Sequence, residues 1–244
     1  TPKANVFLSL RTPAARVSAR SHVLTRLLVH SINNNLNAWA YSARLAGLDY
    51  SIYPHLRGIT VRVGGYNDKL HTLMNRILMQ VSTPEITRQR FDIARQNLID
   101  SLQNKAKDRP VEQTSEFIQT ALVEDTWSTE EKLEAARSVT LDELISFTEA
   151  LLSEVDPVLL AHGNITQAYA LNLAQQINAI VLGNSEFVHV ERSHVRKLPA
   201  KEMLVSLNVN HPDTGYTLYT QGKNTSFEER ARFRLLAQII SSPF

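Results

Sequence analysis

Residues 48–65 read LDYSIYPHLRGITVRVGG and predict two paired strands joined by a turn. In the second strand, Ile59, Val61 and Val63 alternate with polar residues, which is the pattern of a strand with one buried face. The turn-prone run His-Leu-Arg-Gly at 55–58 separates the two strands. The stretch therefore predicts a β-hairpin.

The sequence before this hairpin predicts a strand followed by a long helix. Residues 5–11 alternate Val6, Leu8 and Leu10 with Phe7, Ser9 and Arg11, again with a period of two. Residues 18–46 carry apolar side chains at steps of three to five residues, and Gly47 is a suitable C-terminal stop for that helix.

Helices dominate the prediction after the hairpin. Helices are expected over 68–81, from the Thr83-Pro84 pair to about 107, and after Pro110. Two more are expected after the capping boxes Ser128/Glu131 and Thr140/Glu143. A strand at 155–161 and a helix over 166–181 follow. Strands do not alternate strictly with helices. The order predicts an α+β fold with a mixed, largely antiparallel sheet and helices packed on one face.

A composition change near residue 196 predicts a domain boundary. The run Lys197–Lys201 is expected to separate a first domain, 1–195, from the start of a second, 196–244. That second segment predicts two strands, 203–209 and 215–221, and a helix capped by Ser226 with Glu229. Because two strands and one helix seldom form a core alone, the segment is expected to pack on the first domain or on another chain.

Composition excludes several classes of protein. The formal charge is +2, too balanced for nucleic acid to be a favoured partner. The chain has no cysteine, which excludes disulfides, cysteine-ligated metals and a thiol nucleophile. No apolar run approaches the roughly 20 residues of a membrane helix. The start Thr1-Pro2-Lys3 has neither an initiator Met nor a signal-peptide core, which suggests an excised fragment.

The eight histidines are the only strong candidate metal ligands in the sequence. His22 and His30 share the first long helix but stand eight residues apart, about 12 Å along its axis, which favours ordinary helix histidines. His189 and His194 could converge on a zinc ion with Glu191, although residues of a solvated connector are the favoured interpretation. No catalytic, cofactor-binding or metal residue is therefore assigned.

The remaining candidates have structural interpretations. The pairs Glu124-Asp125 and Glu130-Glu131 are expected to be helix-end residues favoured by the helix dipole. Gly64-Gly65 is expected to close a strand into a tight turn, with anion binding as the alternative. We expect the arginines of one helix, Arg88, Arg90 and Arg95, to line a solvated face.

The ordered residues resemble the C-terminal half of the pitrilysin and insulin-degrading enzyme family. The matching segments are Leu36–Leu48, Arg57–Ile59, Gly65–Leu70, Leu160–Thr166 and Gln238–Phe244, so the resemblance covers nearly the whole chain. It implies a family of zinc peptidases built of four related α+β domains that close around a peptide. In that family an inverted His-x-x-Glu-His motif on the first long helix, with a later glutamate, holds zinc in the first domain only.

This chain departs from the motif at its equivalent helix, which reads Arg26-Leu27-Leu28-Val29-His30. The resemblance therefore implies a non-catalytic third domain followed by the start of the fourth, with zinc held by the missing N-terminal half. It implies that half and peptide substrates as partners, and a periplasmic location, with the cytoplasm as the alternative. By the same resemblance, residues 196–244 are an incomplete second copy of the fold, and the exposed strand edges of that truncated domain suggest a homodimer. The alternative function is an assembly scaffold without substrate contact.

Overall fold

The computed structural model describes residues 2–241, apart from the side chain of residue 38. Five strands form one sheet: β1 Lys3–Arg11, β2 Leu48–His55, β3 Gly58–Tyr66, β4 Glu154–Gly163 and β5 Glu186–Phe187. The helices are α1 Ala19–Leu45, α2 Leu70–Ser82, α3 Arg88–Lys105, α4 Pro110–Leu122, α5 Thr129–Ser138, α6 Leu141–Ser153, α7 Gln167–Ile177 and α8 Phe227–Ser241. A short π turn, Asn178–Leu182, extends α7.

The sheet has the order β2-β3-β1-β4-β5, with antiparallel neighbours except for the parallel pair β4 and β5. In its centre, Leu8 lies opposite Val61 on β3 and Leu159 on β4. The inward side chains of β1 are at most 1% exposed and pack with α1 and α2 into one core. The predicted α+β fold, with helices on one face of a largely antiparallel sheet, is confirmed.

Local signals explain most element boundaries. The Ser18 side chain accepts a hydrogen bond from the backbone N–H of Ser21 at the start of α1. The predicted capping boxes of α5 and α6 are both formed: Ser128 with Glu131, and Thr140 with Glu143. Each box satisfies two backbone donors that the first helical turn leaves without partners.

The predicted start of α3 at Thr83-Pro84 is wrong. Thr83 ends α2 instead, where its hydroxyl donates to the Met79 carbonyl at 3.1 Å. The N-cap of α3 is Thr87, whose side chain accepts from the Arg90 N–H. Two Ser/Thr caps four residues apart compete here, and the later one begins the helix.

The described residues form two compact units. The first runs up to Lys107 and resumes over Asp125–His194, and it contains the whole sheet. The second combines Asp108–Glu124 with the residues from Val195 onward. It thus adds α4 to the segment predicted as a separate domain. The assignment of 1–195 and 196–244 to successive domains of a longer protein stays a prediction, and its last three residues, 242–244, lie outside the described residues.

The strands predicted at 203–209 and 215–221 are not formed in the second unit. Leu204 is 82% exposed and Leu218 is 77% exposed, so these segments lack the buried face that would stabilise a strand. The unit is held by other contacts: Val123 and Val195 form an isolated bridge, and the Thr114 and Thr217 hydroxyls lie 2.5 Å apart. The predicted final helix is formed and begins after Ser226.

Candidate functional site

The outward face of the sheet is the most extended candidate site in the first unit. Strand alternation brings its residues into four rows running across β2, β3, β1 and β4, and we call this surface the open face. The rows are Asp49-Gly64-Asn5-His162, Ser51-Arg62-Phe7-Leu160, Tyr53-Thr60-Ser9-Val158 and His55-Gly58-Arg11-Asp156.

Apolar side chains on the open face remain accessible to solvent. Leu160 is 57% exposed and Tyr53 is 43% exposed, whereas Leu8 on the opposite face is buried. Leu160 lies directly opposite Phe7 in the sheet register, so the two side chains are neighbours on this surface. Apolar groups in this setting can pack against a ligand that lies across the strands.

A polar network centred on Arg62 lies next to these apolar residues. Its guanidinium donates to the Asp49 carboxylate at 2.7 Å and to the Asn5 side-chain oxygen at 2.9 Å. It also lies 5.9 Å from the centroid of the Phe7 ring. Three contacts from the two neighbouring strands, Asp49 on β2 and Asn5 and Phe7 on β1, hold the guanidinium in one position. The Asp49 pair leaves this part of the surface close to neutral.

Gly64 has no side chain, and this gives the Arg62 network the space that it occupies. A Cβ at position 64 would lie 2.6 Å from the Asn5 Oδ1 and 2.7 Å from the Asp49 Oδ1. The predicted tight turn at Gly64-Gly65 is wrong, because both glycines lie within β3. Gly64 is needed for the room it gives the side chains on either side of it.

The open face contains a serine and histidine pair that is not arranged as a nucleophile and base. Ser9 Oγ lies 3.3 Å from His55 Nε2, while His55 Nδ1 accepts the backbone N–H of Arg57. Since Nδ1 accepts, Nε2 carries the proton and donates to Ser9. Burial, together with the nearby Arg57 charge, lowers the pKa of His55. This pair holds the hairpin against β1.

The residues proposed as a zinc site in the connector do not come together. The His189 ring lies 3.6 Å from the Asp156 carboxylate, and the Glu191 backbone carbonyl accepts a hydrogen bond from Arg16 at 2.9 Å. Across residues 2–241, no three His, Asp or Glu side chains are grouped closely enough to hold a metal ion. The His189, Glu191 and His194 hypothesis therefore gains no support.

The helix positions that resemble the zinc motif lie in a cleft between α1 and α3. Arg26 and His30 line it from α1, but the motif's first histidine is replaced by Arg26 and its glutamate by Val29. A guanidinium is always protonated and cannot ligate a cation. With one histidine left, these residues do not fit zinc, which takes three or four nitrogen, sulfur or oxygen ligands.

His22 lies one turn before Arg26 on α1 and is partly buried. Its ring centroid is 5.9 Å from that of Trp127. Burial lowers the pKa of His22 to about 4, and the charges of Lys132 and Arg26 act in the same direction. His22 is thus a neutral, packed histidine, in agreement with its predicted structural role.

This pKa predicts a loss of stability in mild acid. Below its ordinary pKa of 6.5, His22 takes up a proton in the unfolded chain but not in the folded one until about pH 4. We expect His22 to lower the free energy of unfolding by about 2 kcal/mol between pH 7.5 and pH 5. Urea denaturation at both pH values, compared with His22→Gln, measures this contribution. An equal pH dependence in the variant would contradict the assignment.

The other charged candidates take part in local structure. Glu131 completes the α5 capping box as expected, but Asp125 is not a helix-end residue and instead pairs with Arg16. It does so from a left-handed backbone conformation at φ 59°. Arg88 is exposed beside Asp92, as predicted for a solvated face, whereas Arg95 is only half-exposed and donates to the Val139 carbonyl at 3.2 Å.

The open face was missed by reasoning from the sequence alone. Its signal is present in the outward positions Phe7 and Leu160, which are large apolar residues at places where alternation predicts polar ones. Whether these side chains become neighbours depends on the order of the strands in the sheet, which the pattern of a single strand does not reveal. No helix among the described residues is long and apolar enough to span a membrane.

Comparisons with known proteins identify the family to which this fold and sequence are similar. The family described as the middle or third domain of peptidase M16 matches residues 1–135. Human insulin-degrading enzyme is 30% identical over 257 residues, covering 99% of this chain and 24% of the enzyme. The A-factor-processing enzyme of Saccharomyces cerevisiae is 29% identical over 195 residues, covering 80% of this chain and 19% of that enzyme. The chain thus spans about a quarter or less of the length of these relatives.

Solved structures agree with the sequence comparisons. Pitrilysin superposes with a TM-score of 0.67 at 26% identity, covering 73% of this chain and 19% of pitrilysin. A peptidase M16 inactive domain from Pseudomonas fluorescens shares the fold, with a TM-score of 0.61 at 11% identity over 79% of this chain and 48% of that one. The chain therefore belongs to the peptidase M16 family, in which it matches the middle or third domain.

Proposed function

We propose that this chain is a non-catalytic wall of the chamber in which a longer M16 peptidase holds its peptide substrates. Zinc and the hydrolytic water belong, in this proposal, to the N-terminal catalytic half of the same protein. The observation that carries the proposal is the open face. It presents a fixed guanidinium and accessible apolar side chains on a rigid sheet, without the residues of the zinc motif.

The chemistry of the open face suits an unfolded peptide. Apolar side chains of a peptide can pack against Leu160 and Phe7. The carbonyl oxygens of the peptide can accept hydrogen bonds from the Arg62 guanidinium. Such contacts are expected to be equally strong in the ground state and in the transition state, because they are made far from the reacting bond. They are expected to change substrate binding more than the chemical step.

A charge placed on the open face tests this role. In the full-length protein, Leu160→Glu buries a carboxylate under any peptide that covers it, so KM for a fluorogenic peptide should rise about tenfold while kcat changes little. The matched control is Leu171→Glu on α7, since Leu171 is 58% exposed and Leu160 is 57% exposed. The control should leave both constants unchanged.

The scaffold alternative predicts a different result. If this domain only supports the assembly, Leu160→Glu and Leu171→Glu will have equal KM values, and activity will respond to substitutions where the two halves meet. Equal KM values, with zinc content unchanged in both variants, would therefore exclude the chamber-wall role.

We also propose that further residues of the longer protein cover α8. None of the α8 side chains is buried, and Phe227, Leu235 and Ile240 are between 63% and 88% exposed. A surface of this kind favours association, either with the rest of a fourth domain or with a second copy. The homodimer, expected from strand edges of the truncated domain, and the periplasmic location, implied by the sequence resemblance, stay predictions.

A further inference from the structure

The cleft between α1 and α3 has a polar rim and an apolar floor. Its volume is about 170 Å³, well above the ~10–15 Å³ that one water requires. Arg26 and His30 line it from α1, and Asn97 and Ser101 line it from α3. Each pair is four residues apart and so shares one helix face. The floor is formed by Leu27, Ala94 and Leu98, which are buried.

The four rim side chains lack partners within the protein. No hydrogen bond or ion pair joins Arg26, His30, Asn97 or Ser101 side chains to any residue in the described range 2–241. Asp100, the acid next to Ser101 on α3, accepts a hydrogen bond from Gln96 at 2.8 Å. The rim therefore presents a guanidinium fork, an amide, a hydroxyl and an imidazole that are all free to bind a ligand.

The unpaired guanidinium determines the charge of that ligand. Arg26 is partly buried, which lowers its pKa, and no described carboxylate lies within ion-pair distance of its guanidinium. Leaving such a group unpaired is costly, whereas a carboxylate can bind both arms of a guanidinium through two parallel hydrogen bonds. The apolar floor adds a preference for a short hydrocarbon chain.

We propose that this cleft binds the carboxylate of a small ligand, with the oxygens on Arg26 and the rim donors and a short aliphatic chain on Leu27 and Leu98. A free short-chain carboxylic acid and the C-terminal residue of a peptide both have this chemistry. The site lies in the helical layer and does not depend on the open face or on the chamber-wall role.

Equilibrium dialysis of radiolabelled butyrate against the full-length protein at constant ionic strength tests the site. We expect a saturable site whose affinity falls at least tenfold in Arg26→Gln, because a charge-assisted hydrogen-bond pair is lost. Arg137→Gln is the matched control: it removes the same charge from an exposed position on α5 and should bind butyrate like the wild type.

A second variant covers the case in which Arg26→Gln fails to fold. Asn97 is exposed, so Asn97→Asp should fold, and its carboxylate would pair with Arg26 and abolish butyrate binding. The proposal is overturned if the wild type shows no saturable binding, or if Asn97→Asp binds butyrate as the wild type does.

Competition identifies the source of the carboxylate. Displacement of butyrate by a peptide with a free C-terminus, but not by the same peptide with a C-terminal amide, supports a peptide terminus as the natural ligand. Displacement by neither supports a free short-chain acid. Equal displacement by both peptides would overturn the proposal, since the carboxylate would then contribute nothing.

Discussion

Replacing Gly58 by alanine should lower the free energy of unfolding by about 3–5 kcal/mol. Gly58 joins β2 to β3 with φ at 140°, a conformation that residues with a side chain rarely adopt. An added Cβ would also lie 2.1 Å from the Leu10 carbonyl oxygen. Because that oxygen belongs to the backbone of the central strand, the clash cannot be relieved by a side-chain rotation.

Gly183→Ala is the matched control for this substitution. Gly183 has φ of −59°, and an added Cβ would find its nearest atoms at 3.7 Å, which is ordinary contact. We expect its unfolding free energy to change by less than about 1 kcal/mol. Urea denaturation of both variants measures the difference. Similar midpoints for the two would show that the hairpin does not limit the stability of the sheet.

The hairpin and the first long helix could be predicted from sequence because their signals are local. Strand alternation around Val61 and the helix stop at Gly47 need no knowledge of the rest of the chain. Gly47 indeed has φ of 72° and ends α1. The capping boxes of α5 and α6 were predictable for the same reason, since each is contained within four residues.

Predictions failed where a local signal needed a distant partner. The segments 203–209 and 215–221 alternate like strands but find no neighbouring strand in the second unit, so their backbone groups form no ladder. In contrast, β5 has only two residues and no recognisable pattern, yet it pairs with the start of β4. Pairing, more than propensity, decides which extended segments become strands.

The two candidate sites could not be predicted from the pattern of any single helix or strand, because each combines residues of several elements. The Arg62 network joins residues of β1, β2 and β3, and the cleft joins residues of α1 and α3 that are about 70 positions apart in sequence. The resemblance to the zinc motif identifies the positions of Arg26 and His30 from sequence. Only the packing of the helices shows that Asn97 and Ser101 complete their surroundings.

The second large effect concerns activity and follows from the chamber-wall proposal. The N-terminal half alone has the catalytic residues in this account but cannot position a peptide against them. Adding the C-terminal half, consisting of this chain and the rest of its fourth domain, should raise the rate on the order of 100-fold, because positioning makes contributions of at least that size. The C-terminal half alone should hydrolyse nothing.

Mixing the separately purified halves is the measurement that tests the central claim most directly. Cleavage of a fluorogenic peptide is followed for each half alone and for the mixture, with binding between the halves confirmed by sedimentation. The account predicts activity chiefly in the mixture, and loss of that activity on chelation of zinc. Zinc-dependent cleavage by the C-terminal half alone, or no gain when the bound halves are mixed, would contradict it.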